Sequence, residues 1–211
     1  MTDLMELTEA YLEYLMIPKR YWDVEADKLS EHTGKGKSPK MMVTQYIDRI
    51  DHMMSKGIGL YLWGDNGVGK TSAAVLIAKA AAEHKYSVMF IEAASYIDAV
   101  FSQEPFGFDH EITIQERALA VDLLVIDDLG KQVIDQRRNI PRILDRLVRH
   151  RSARRLVSII TSNVPVGELT DVIQLSTRET LTEAVIPVKV INENMRKAAL
   201  QANMKELFPC K

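Results

Sequence analysis

Eight consecutive residues, Gly64-Asp65-Asn66-Gly67-Val68-Gly69-Lys70-Thr71, constrain this chain more than any other feature of it. They match G-x-x-x-x-G-K-[ST] at every fixed position and lie between an apolar run, Ile58 to Trp63, and an alanine-rich stretch, Thr71 to His84. Glycines at this spacing let the backbone wrap a phosphate chain with its N–H groups turned inward, and the helix that follows points the positive end of its dipole at the same anion. The pattern predicts a strand, a phosphate loop and a helix. Lys70 is then the residue that reaches the β- and γ-phosphates of a nucleoside triphosphate, and Thr71 the hydroxyl that ligates Mg²⁺.

Leu123-Leu124-Val125-Ile126-Asp127-Asp128 is a buried strand ending in two acids, the form of a Walker B segment. An acid at the carboxyl end of such a strand can hold a Mg²⁺ shell, the role expected of Asp127. Asp128 is then placed to orient or deprotonate the attacking water. Standing alone, the two acids would equally well end a strand and cap a turn. Thr161-Ser162-Asn163 follows a fourth apolar strand and makes Asn163 a candidate to position that water, although Ser-Asn ahead of Pro165 is also an ordinary turn.

At 211 residues the chain suits one α/β domain with a short extension. A net charge of −2 excludes a global basic field, so any contact with nucleic acid must be a patch. Cys210 is the only cysteine, which excludes an internal disulfide framework and a cysteine-based zinc module. No apolar run approaches the about 20 residues a membrane helix needs, and the acidic start is unlike a signal peptide. A cytoplasmic protein without a membrane partner is expected.

Along the chain, apolar spacing predicts a helix over Thr2–Met16, a polar linker over Lys19–Lys40 with a short turn at Tyr21-Trp22, and a second helix over Pro39–Lys56. Residues 1–55 form a helical extension and residues 56–211 the main domain. In the latter, strands at 58–63, 87–92, 123–126, 156–161 and 184–190 alternate with helices at 71–84, 93–101, 112–120, 138–151 and 192–207. A loop fills 103–110. The alternation implies an α/β fold with a five-stranded parallel sheet covered on both faces.

The phosphate loop, Leu-Leu-Val-Ile-Asp-Asp-Leu-Gly at 123–130 and Ile-Thr-Ser-Asn at 160–163 together resemble the AAA+ branch of P-loop NTPases. Within it the chain looks most like bacterial and phage replicative helicase loaders of the DnaC and DnaI type and the IstB transposition helper ATPase. Ile17-Pro18-Lys19-Arg20-Tyr21-Trp22-Asp23 is similar to a segment preceding the ATPase core in that group. The resemblance implies ATP and Mg²⁺ as cofactors, and slow hydrolysis stimulated by assembly or DNA. It also implies a replicative DNA helicase and single-stranded DNA as partners, and a homo-oligomer in which an arginine acts in trans. Arg178 occupies the place of that arginine and Arg196 that of the sensor 2 arginine. Two departures stand out: Asp128 replaces the glutamate common in AAA+ proteins, and the extension lacks the cysteines of a DnaI-like zinc domain.

Three surfaces are candidates for partners. Arg138, Arg142, Arg146 and Arg149 share one helical face, with Arg137, Arg151, Arg154 and Arg155 nearby, and could meet DNA phosphates or simply be solvated. Family geometry instead directs single-stranded DNA to 93–101 and 103–110, where Tyr96, Phe101, Phe106 and Phe108 are either stacking platforms or core. Leu4, Leu7, Tyr11 and Leu15 form an apolar stripe that docks a partner helicase or folds back on its own domain. A helicase loader is the leading functional expectation. The alternatives are a transposition helper on duplex DNA, a small-molecule P-loop kinase with the arginine-rich 137–155 region as its lid, and an ATP-gated adaptor that barely hydrolyses.

Overall fold

The computed structural model describes residues 4–29, 38–103, 106, 112–130, 140–169 and 173–191. Five parallel strands form one sheet: β1 (Gly59–Trp63), β2 (Val88–Glu92), β3 (Leu123–Leu129), β4 (Val157–Ser162) and β5 (Val185–Lys189), in spatial order β2-β3-β4-β1-β5. All ladders are parallel. The expected five-stranded α/β architecture is therefore present. β4 lies between the strand that feeds the phosphate loop and the strand that carries the acids.

Strand side chains alternate between two cores, as a pleated sheet covered on both faces requires. Leu60, Leu62, Val88, Phe90, Leu123, Val125, Val157 and Ile159 join one apolar cluster; Tyr61, Met89, Ile91, Leu124, Ile126 and Ile160 join the other. Helix α4 (Lys70–Glu83) packs on the first face across β1, β2, β3 and β4. Its buried alanines, among them Ala73, Ala74, Ala78 and Ala81, allow a close approach of helix to sheet. The second face is covered by α5 (Ala93–Ser102), α6 (Ile114–Ala120), α7 (Ile140–Ala153) and α8 (Leu175–Ala184). No helix among the described residues is long and apolar enough to cross a membrane.

The amino-terminal region departs from expectation in three ways. Helix α1 runs only over Glu9–Tyr14, started by Thr8, whose side chain accepts from the Tyr11 N–H. The single helix expected over Pro39–Lys56 is two, α2 (Pro39–Ile47) and α3 (Ile50–Lys56), because Arg49 leaves helical geometry at φ −121°, ψ 23°. No glycine or proline marks that break in the sequence.

The third departure concerns the apolar stripe. Leu12, Leu15 and Ile17 are buried in the α4-side core, Leu7 and Tyr11 pack against it, and only Leu4 of the stripe is exposed. The main chain takes part as well. Leu15 C=O accepts from Phe90 N–H at 2.8 Å on the otherwise open edge of β2, Glu83 C=O accepts from Met5 N–H, and Trp22 C=O accepts from Lys79 Nζ. Capping a sheet edge in this way protects a row of backbone groups from unwanted pairing. The extension shares the core of the main domain, and the face expected to dock a helicase is already largely covered.

Candidate functional site

The phosphate loop connects β1 to α4 at the carboxyl edge of the sheet. Gly64 is the position where a side chain has no room: its φ is +149°, and a Cβ there would lie 2.3 Å from Val190 C=O. Gly69 starts α4 from a left-handed conformation, φ 96°, which turns the helix's first N–H groups into the loop. Between them, Asp65, Asn66, Gly67 and Val68 complete the expected cradle, with Val68 buried as its anchor to the core.

Lys70 is buried, and its Nζ donates to Gly64 C=O and Asp65 C=O, each at 2.8 Å, and to Asn163 Oδ1 at 3.0 Å. A buried ammonium at the mouth of the loop is a strong point of attraction for an anion. Thr71 Oγ1 donates to Asp127 Oδ1 at 2.9 Å, so the two expected Mg²⁺ ligands touch across the site. Both offer hard oxygen, the donor type Mg²⁺ prefers. Among the described residues no group of three or more His, Cys, Asp or Glu is placed to hold a metal by itself. A divalent ion at Thr71 and Asp127 would therefore complete its shell with phosphate oxygens and water.

Strand β3 is longer than the sequence pattern predicts, continuing through both acids to Leu129. Burial pushes the Asp127 carboxyl up from the usual range; hydroxyl donors Thr161 and Thr71 pull it back, while Asp128 and Glu92 push it further up. Asp128 adopts φ +62° and its Oδ1 accepts from Asn163 Nδ2 at 3.3 Å. Asn163 thus bridges Lys70 to Asp128, one amide touching both the loop's ammonium and the acid expected to activate water. Ser162, just before it, ties the edge together: its Oγ donates to Leu129 C=O and its C=O accepts from Gly64 N–H.

Two residues of this cluster have no role in the sequence reading. Thr161 Oγ1 donates to Asp127 Oδ1 at 2.6 Å and accepts from Asp128 N–H at 2.9 Å. Glu92 ends β2 in register with Asp127. Neither is recognisable without knowing which strands are neighbours.

The more distant candidates divide. Arg178, on α8, donates from Nη1 to Gly167 C=O at 2.7 Å and is half-buried at that surface. Arg196 lies outside the described residues, as do Arg137, Arg138 and Phe108. On α7, Arg142, Arg146 and Arg149 are exposed, and so are Arg154 and Arg155 beyond it. Arg149 is engaged by Asp145 and Ser176.

Arg151 is not part of an anionic-ligand face. It is 1% exposed and donates to Ala118, Val121, Asp122 and Val157 carbonyls and to Ser158 Oγ, stapling the end of α6 to the starts of β3 and β4. Each carbonyl left unpaired by its removal would cost about 1–3 kcal/mol. With Leu144, Leu147 and Arg151 buried, α7 is a core helix and not the mobile lid a kinase would need. Tyr96 and Phe106 are buried too, Phe106 against Tyr14 and the Arg117 guanidinium, so of the described aromatics proposed for base stacking only Phe101 is exposed.

Comparison with known proteins agrees with this geometry. The replicative helicase loader DnaI of Bacillus subtilis (strain 168) is 28% identical over 135 residues, 60% of this chain and 40% of that protein. The chain therefore spans less than half the length of that relative. Among solved structures, the DnaC helicase loader matches with a TM-score of 0.69 at 20% identity, covering 82% of this chain and 100% of that one. A DnaI crystal structure matches with a TM-score of 0.66 at 17% identity, covering 85% and 94%. These likenesses establish the P-loop AAA+ fold. A family profile described as IstB-like ATP binding protein matches residues 40–198, which include the whole phosphate loop, Asp127, Asp128, Asn163 and Arg178. The chain belongs to the family of IstB-like ATP binding proteins.

Proposed function

We propose that this chain is an ATP-hydrolysing helicase loader, an assembling switch that binds a replicative helicase and single-stranded DNA. The observation that carries the reading is the chain of hydrogen bonds Lys70–Asn163–Asp128, connected through Thr161 to Asp127 and Thr71. It links a phosphate-binding cation, a metal-ligating pair and a candidate base within one hydrogen-bonded unit. The sequence likeness to a replicative helicase loader supports a replicative helicase as the client.

In this reading ATP with Mg²⁺ supplies the phosphoryl group whose transfer to water drives the switch. The loop N–H groups and Lys70 hold the phosphates, while Thr71 and Asp127 hold the metal. Asp128 accepts the proton of the attacking water, and Asn163 fixes the direction of its carboxylate. Arg178 of a neighbouring copy neutralises charge as it develops, and Arg196 acts on the nucleotide from the other side. The shorter reach of aspartate at 128 slows the step.

The family assignment favours a second reading: a transposition helper that acts on duplex DNA. Nucleic acid separates the two. For a loader, single-stranded DNA stimulates phosphate release and binds more tightly than duplex of the same length in a fluorescence-anisotropy titration. Preference for duplex would transfer the ATPase to the transposition reading. Phosphate release without any phosphorylated acceptor excludes the kinase.

A further inference from the structure

Consecutive residues of a strand point to opposite faces of the sheet, so two adjacent acids do not ordinarily serve one site. Here they do. The β3–β4 ladder runs in register to Ile126↔Ile160 and resumes at Leu129↔Ser162. Asp127 and Asp128 together oppose Thr161 alone, which is a β-bulge, a device that re-aims side chains beside functional sites. The left-handed φ of +62° at Asp128 is the bend itself. An aspartate tolerates that region better than most residues, but it is still uncommon outside glycine.

A bulge interrupts the ladder and leaves backbone groups to be paired by other means. The Asp128 N–H is paired by the Thr161 hydroxyl, at 2.9 Å. That same hydroxyl has one proton, which goes to Asp127 Oδ1 at 2.6 Å. One hydroxyl thus accepts from the backbone of Asp128 and donates to the carboxylate of Asp127, joining the two acids. Thr71 donates to the same carboxylate oxygen. Thr161 is 1% exposed, so both bonds lie out of bulk solvent.

We infer that Thr161 is a positioning residue of the ATP site: one hydroxyl holds both the metal-ligating acid Asp127 and the bulge that brings Asp128 into the same site. The inference rests on the proposed ATPase reading and deepens it. Thr161 touches neither nucleotide nor metal in this account. It acts through the two acids, so its loss separates from that of Lys70, which binds phosphate directly.

The test replaces Thr161 by Val, which keeps the shape and removes the hydroxyl, and by Ser, which keeps the hydroxyl. The first readout needs no hydrolysis. In a titration of Mg²⁺ at fixed fluorescent ATP analogue, Thr161→Val moves the metal midpoint upward by about 10-fold or more, as loss of a bond that orients a metal ligand does, while Thr161→Ser stays near wild type. The second readout is phosphate release: Thr161→Val lowers kcat by about 10- to 100-fold with KM for ATP little changed, and adds almost nothing on an Asp128→Asn background. Should Thr161→Val fail to fold, Thr161→Ala serves in the same comparison, with thermal melting as the control.

A Thr161→Val protein with a wild-type metal midpoint and wild-type kcat overturns the inference, as does a Thr161→Ser protein as impaired as the valine variant. Failure of the ATPase reading looks different. Wild-type protein would then bind nucleotide yet release no phosphate with DNA and helicase present, whatever the Mg²⁺ midpoints of the variants.

Discussion

Lys70→Ala is expected to abolish ATP binding at working concentrations, with affinity lower by about 100-fold or more. Charge-assisted bonds to the ammonium contribute about 1.5–3 kcal/mol each, and a 1.4 kcal/mol loss is a factor of ten. The buried Nζ also holds Gly64 and Asp65 carbonyls and Asn163, so alanine removes both the cation and the clamp that closes the loop around it. Equilibrium titration with a fluorescent ATP analogue measures the loss, and circular dichroism confirms that the protein is folded. Arg142→Ala, at an exposed position on α7 outside the site, serves as the matched loss of a positive charge and retains binding. Unaltered affinity in Lys70→Ala would remove the Gly64–Thr71 loop from the nucleotide site.

Arg178→Ala has the second large effect, on rate and not on binding. An arginine supplied across a subunit boundary to a phosphoryl-transfer site accelerates it by about 10³-fold or more. Within its own chain Arg178 reaches Gly167 C=O, on a surface formed by the Val166–Glu168 turn and α8. ATP affinity of the separate chain is expected to stay near wild type while phosphate release by the assembled protein collapses. Mixing supplies the stricter measurement. Lys70→Ala and Arg178→Ala proteins, each inactive, regain part of the activity together, because the intact arginine of one completes the intact loop of the other. An inactive mixture of proteins that still assemble would place Arg178 outside the site.

The parts of this site that were legible in the sequence are those whose chemistry is local. The phosphate loop is one uninterrupted segment, and Asp127 with Asp128 announces itself as two acids at the end of an apolar strand. Thr161 was not legible, because its role exists only through the pairing of β3 with β4 and the bulge between them. Glu92 is hidden for the same reason.

Arg151 carried a signal that spacing alone contained: it continues the buried positions Leu144 and Leu147 and is out of phase with Arg142, Arg146 and Arg149. A dense arginine composition concealed it. The amino-terminal stripe illustrates a deeper ambiguity, since apolar periodicity reports that a face is covered without saying by what. Here much of the covering is the chain's own α4 and β2.

That packing sharpens the question of how a helicase is met. If the extension binds a helicase, the contact uses surface left outside the covered stripe, such as Leu4 and Tyr14, which remain exposed. In the proposed loader, closure of the ATP site between protomers would provide the nucleotide dependence. Co-purification of this chain with the replicative helicase of its host, with ATP and without it, tests the central claim most directly. The account predicts a complex that forms with ATP and is lost with Lys70→Ala. Absence of any complex, from protein that binds and hydrolyses ATP, would contradict it.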